Sequence, residues 1–184
     1  MMKSYISIVG LLLAAIGGLR AQVYQTKAGN ISFVNTAATG SFDAQNNQVI
    51  AALSAENGTV QFRVPVNSFQ FKKELMQQHF QENYMESATF PNASFSGKLV
   101  DASAVNFQSA GTYNVKVKGD MTMHGVTKGV EVPGQIVVTA TGVTLKANFD
   151  ILCSDYSINI PRNNASAVSN KVAISVNCAL TPRA

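Results

Sequence analysis

Two histidines (His79, His124), two cysteines (Cys153, Cys178) and six methionines are the side chains of this sequence best suited to chemistry. Neither histidine has a second one at metal-ligand spacing, and no acidic cluster stands beside either. A serine or cysteine nucleophile would need one of those histidines as its base, and nothing local pairs them. The chain carries no Gly-x-Ser-x-Gly elbow and no phosphate-cradling glycine loop. Soft copper ligation by Met76, Met85, Met121, Met123 and the histidines is conceivable chemistry. Alternation along the chain, however, places Met121 and Met123 on an apolar face. The expectation is a protein that is not an enzyme and has neither a metal site nor a cofactor.

The elements that must position these residues are strands. From Tyr113 the odd positions read Tyr113, Val115, Val117, Gly119, Met121 and Met123, while the even ones are Asn114, Lys116, Lys118, Asp120, Thr122 and His124. A period of two with one wet face is a half-buried β-strand. After His124-Gly125 the pattern resumes at Val126, Val130, Val132, Ile136 and Val138, then at Val143 to Cys153, then at Val172 to Leu180. Fainter alternation at Ile31 and Phe33, at Val49 to Leu53, at Val60 to Val66 and at Phe95 to Leu99 brings the total to about eight strands. Between Phe69 and Phe90 the period becomes four, with Met76, Phe80 and Tyr84 set among Lys72, Lys73, Glu74, Gln77, Gln81 and Glu82. That predicts an amphipathic helical crossing over about residues 70–86, limited by Pro91.

Eight long strands, each apolar on one face, must cover that face by pairing two sheets or by closing into a barrel. The aromatic residues sit within the apolar series and not in girdles at the strand ends, so the apolar face points inward and the barrel does not span a membrane. Residues 1–21 read as a signal peptide: Lys3, an apolar run from Ile6 to Ile16, then Leu19-Arg20-Ala21 before Gln22. The run is too short for a transmembrane anchor. Residues 22–184 are then one exported domain. Its lysines and arginines are scattered singly, unlike a nucleic-acid surface.

Export favours a disulfide between Cys153 and Cys178. Register argues against it. A hairpin centred near Asn163 sets Cys153 opposite Ala173 and Cys178 opposite Asn148, about five residues or 17 Å apart, beyond the roughly 7 Å a disulfide spans. Two buried free thiols are expected. His124, beside a glycine turn on the polar side of its strand, is expected to fix the hairpin through a hydrogen bond.

Three stretches resemble a known family. "FRVPVNSFQFKKELMQQHFQENYMESATFPNASFSGKLV" (Phe62 to Val100) is similar to the strand, helical crossing and Phe-Pro return of the YceI-like family. "GTYNVKVKGDMTMHGVTKGVEVP" (Gly111 to Pro133) resembles its His-Gly-Val-Thr-Lys hairpin, with Met121 in the usual leucine place. "DILCSDYSI" (Asp150 to Ile158) resembles a further family strand, with Ser157 where glycine is common. The likeness spans nearly all of residues 22–180.

The resemblance implies an extended, eight-stranded antiparallel, lipocalin-like barrel in the bacterial periplasm, or secreted, that carries a polyisoprenoid or isoprenoid quinone-like lipid. The all-β reading of the residues reaches the same architecture, but composition alone favours a filled barrel core, and only the resemblance turns the balance toward a ligand channel. A filled-core envelope or stress-related interaction module, with no lipid, therefore stays as the alternative, and a homodimer stays open. For the lipid reading, the channel residues are Phe62, Val64, Phe95, Tyr113, Val115 and Val117, together with Gly119, Met121, Met123, Phe149 and Ile151. Small residues at Gly97, Gly119 and Ala147 leave gaps, and methionine adapts to a flexible chain. Met76, Phe80 and Tyr84 form the lid, and His79 beside them is the candidate headgroup contact.

Overall fold

Residues 22–183 are described by the computed structural model of the chain, so the expected signal peptide at 1–21 lies outside the described residues. The strands are β1 (Val23–Ala37), β2 (Gly40–Ser54), β3 (Thr59–Pro65), β4 (Gln70–Phe71), β5 (Asn92–Leu99), β6 (Gly111–Met123), β7 (Val126–Val138), β8 (Val143–Leu152) and β9 (Lys171–Pro182). Eight of them close an antiparallel ring in the order β1-β9-β8-β7-β6-β5-β3-β2, with β2 returning to β1. The ninth, two-residue β4, pairs with the outer part of β2 at one end of the ring.

Local chemistry explains the joints. The β6–β7 hairpin turns through His124 and Gly125, at φ 49° and 75°, and positive φ at both central residues is what a tight type I′ turn demands. β1 bulges around Gly29, where a Cβ would stand 2.5 Å from the Cys178 sulfur, so only glycine leaves room for that buried thiol. The crossing between β3 and β5 is a short helix, α1 (Glu74–His79), continued by a π-helical turn, Phe80–Tyr84.

One end of the ring is packed shut by Tyr24, Leu53, Val138, Val143 and Leu180, all buried, with Tyr24 stacked on Phe107 at 6.0 Å. At the other end the crossing lies over the barrel. Phe33 of β1 meets four rings there, those of Phe42, Phe69, Phe71 and Phe80, at 5.4 to 6.4 Å between centroids.

The β8–β9 register departs from the sequence expectation by three residues. Cys178 is opposite Leu145 and Asn148 is opposite Ser175, while the Cys153 amide donates to the Asn170 carbonyl. The connection from Cys153 to Asn170 is asymmetric about Asn163 because β8 runs directly into a 3₁₀ turn, Cys153–Tyr156. The cysteines are thus eight residues apart along the hairpin, about 26 Å at a strand's rise, and both are free and buried.

Candidate functional site

The inward faces of the ring strands do not fill the barrel. They enclose a cavity of about 440 Å³ whose wall is overwhelmingly apolar. β3 contributes Phe62 and Val64, β5 Phe95, β6 Val115, Val117, Met121 and Met123, and β8 Phe149 and Ile151. Each recurs at a spacing of two because alternate side chains share a face. The crossing roofs the space with Met76, His79, Phe80 and Tyr84. Their four-residue spacing puts Met76, Phe80 and Tyr84 on one side of the helical turns, facing down. Asn164, from the β8–β9 connection, donates its side-chain amide to the Tyr84 hydroxyl at 3.1 Å and ties the roof to that loop.

Polar groups on the wall are few and mostly committed. Asn35 is buried and exchanges two hydrogen bonds with the Ser169 backbone, at 2.8 and 2.9 Å. His79 is exposed at the outer rim of the roof. Nothing on the wall resembles a nucleophile beside a base, and among the described residues no group of three His, Cys, Asp or Glu lies close enough together to hold a metal ion. What the arrangement can do chemically is take an apolar chain out of water.

Two expected channel residues are elsewhere. Tyr113 turns its hydroxyl to the Ser109 carbonyl, to which it donates at 2.9 Å, and does not reach the cavity. Gly119 is not a gap. It pairs with Gly97 on β5, and a Cβ on Gly119 would run into the Gly97 Cα and the Ser96 carbonyl. A Cβ on Gly97 would likewise stand only 2.6 Å from the Lys118 carbonyl oxygen. The two glycines let β5 and β6 approach and bend, and neither leaves space for a ligand.

The residue reading also missed a large part of the wall. Phe33, Phe42, Phe69 and Phe71 build the aromatic end of the cavity, and Val172, Ile174 and Val176 of β9 line its side. The β9 residues were visible as an alternating run. Phe69 and Phe71 share a period of two just before the helical crossing, a signal readable as the short strand β4.

His124 differs from expectation as well. Its side chain is 9% exposed and packs edge-on against Phe90 at 4.7 Å. Its Nδ1 lies 3.2 Å from the Tyr156 carbonyl, and its Nε2 is 3.5 Å from the Glu86 carboxylate. It therefore joins the β6–β7 turn to the 3₁₀ turn after β8, and does not brace the hairpin itself. Lys128 makes the same connection through Asp155 at 2.5 Å.

A family model described as a YceI-like domain matches residues 22–180. No curated protein matches the chain. Among solved structures, a polyisoprenoid binding domain from Saccharophagus degradans, implicated in plant cell wall breakdown, aligns with a TM-score of 0.75. It is 18% identical, over 89% of this chain and 99% of that one. BcnA of Burkholderia cenocepacia aligns with a TM-score of 0.69 at 18% identity, over 83% of this chain and 96% of that one. A Campylobacter jejuni YCEI protein aligns with a TM-score of 0.57 at 13% identity, over 100% and 99%. At these identities the likeness is one of fold.

Proposed function

The chain belongs to the YceI-like family, and on that premise we propose that it is an exported, periplasmic binding protein, not an enzyme, whose barrel carries a polyisoprenoid or isoprenoid quinone-like lipid. The observation that carries this reading is the apolar cavity of about 440 Å³, closed at one end and roofed at the other by the crossing. A filled-core interaction module would have no such space. The Saccharophagus neighbour, a polyisoprenoid binding domain, supports the ligand class. Burial contributes about 0.8 kcal/mol per methylene-sized group, so several isoprene units bind tightly here without a specific polar contact.

Mass spectrometry of an organic extract of protein purified from its native host tests the proposal. One prenyl lipid per chain is expected. Absence of any co-purifying lipid, together with failure to bind a dansyl-tagged farnesyl ether, overturns it. Export is tested on the same material by intact mass, which should correspond to a chain beginning at Gln22. Retention of residues 1–21 overturns the periplasmic assignment.

A further inference from the structure

The barrel wall is not sealed all the way round. β7 pairs with β8 only from Gly134 opposite Ala147 to Val138 opposite Val143. Both strands continue past that point, β7 back to Val126 and β8 on to Leu152, bonded only to β6 and β9 behind them. Between them lies a slit. Its far end is closed by the Lys128–Asp155 ion pair and by His124 against the Tyr156 carbonyl.

The residues at the slit are ones that cannot zip it. The Thr139 amide donates to the Gly142 carbonyl across this hairpin at 2.9 Å. Alternate residues of an antiparallel strand address alternate neighbours, so the odd residues of β7 point their backbone groups at β8. The next odd position after Gln135 is Pro133, which has no N–H to donate, and there the ladder stops. Continuing the register sets Glu131 directly opposite Asp150, and opposed like charges destabilise a strand pair. Each carboxylate is drawn back to the strand behind it, Glu131 to Lys116 at 3.2 Å and Asp150 to Lys171 at 2.7 Å. The cavity reaches this seam. Pro133, Gln135 and Lys146, all exposed on the outer surface, border it alongside Val132 and Phe149.

We propose that the slit between β7 and β8 is a lateral port, through which the prenyl chain enters and at which its polar end rests. This rests on the lipid-binding reading above. The backbone N–H and C=O groups of Gly129, Glu131 and Asp150 have no partner across the seam, and they supply hydrogen bonds for a hydroxyl or carbonyl headgroup. The roof, by contrast, is held by the Phe33 cluster and by the Tyr84–Asn164 bond. His79 is then a rim residue without a headgroup role.

The double variant Pro133→Val, Asp150→Thr restores a donor and removes the charge repulsion at the seam. Stopped-flow mixing with a dansyl-tagged farnesyl ether should show uptake slowed about tenfold, as a few restored ladder hydrogen bonds would cause, while the melting temperature holds or rises. Leu75→Ala, at an exposed residue of the crossing that does not border the cavity, should take up the probe at the unmodified rate. A second closure, a short bismaleimide tether between cysteines at Glu131→Cys and Asp150→Cys, should slow uptake relative to the same double-cysteine protein before tethering. A farnesyl ether with benzophenone at its polar end should photolabel residues 127–135 or 146–152. Uptake at the unmodified rate by both closed forms, or labelling confined to 74–86, overturns the port and leaves lipid binding standing. No uptake by the unmodified protein overturns both.

Discussion

Ser157 sits at φ 55°, ψ 24°, in the left-handed region, as the residue that ends the 3₁₀ turn after β8. A non-glycine residue is strained there by roughly 1 kcal/mol, which a glycine would relieve. Ser157→Gly should therefore raise the unfolding free energy by about 1 kcal/mol in urea titration. Unchanged or lower stability would mean that its hydroxyl or reduced chain freedom matters more than the backbone strain. Gly119 makes the opposite case. The clash at its Cβ is with backbone atoms of β5, which cannot rotate away, so even Gly119→Ala should destabilise by about 1–3 kcal/mol. A phenylalanine there disrupts folding and does not merely fill a channel. A Gly119→Ala variant as stable as the parent would show that β5 and β6 can separate at no cost.

At the scale of elements, the crossing owes its position to aromatic contacts more than to its own helicity. Six residues of α-helix are far below the length that is stable alone, and α1 buries none of its side chains fully. Phe80 anchors it among Phe33, Phe69 and Phe71 at 5.1 to 5.6 Å. Phe33 is itself buried in β1, at the centre of that cluster. Phe33→Ala should cost about 3–5 kcal/mol and raise amide exchange selectively in residues 74–84. Loss of stability with the crossing still protected would separate the roof from the cluster. The four-residue period of Met76, Phe80 and Tyr84 was enough to forecast a roof, but not the cluster, because Phe33 and Phe42 come from strands over 25 residues away in the chain.

For the whole molecule, burial has an alkaline consequence. Desolvation pushes the Cys178 thiol from its ordinary 9.0 up to about 11 and raises Cys153 as well. Tyr24 and Tyr156 move in the same direction for the same cause. A group whose folded pKa lies above its unfolded one binds more protons in the folded state, so the stability it contributes is full below about pH 9 and is lost as pH rises toward 11. Denaturant midpoints should be flat from pH 7 to 8.5 and then fall, and Cys178→Ala should flatten part of that fall. The same burial should leave both thiols unreactive toward a disulfide reagent at pH 8 until denaturant is added, when two react. Native-state reaction of Cys178 would overturn its placement, and a pH profile indifferent to Cys178→Ala would remove it as the titrating group.

Alternation alone determined the strands, because the pleat sends successive side chains to opposite faces and a barrel buries only one of them. The helical crossing followed from a four-residue period, and twelve of the fourteen expected channel and lid positions line the cavity, while a large part of its wall was not foreseen. Tyr113 and Gly119 failed because facing inward does not say whether the space in front of a residue is open, and that depends on how closely two strands approach. The register of β8 on β9 was equally hidden, since it depends on the geometry of a connection with no periodic signal. The unsealed seam could be decided only in three dimensions. Pro133, Glu131 and Asp150 are ordinary residues in the sequence, and they matter because closure of the ring brings two strands face to face at a place where those residues cannot bond.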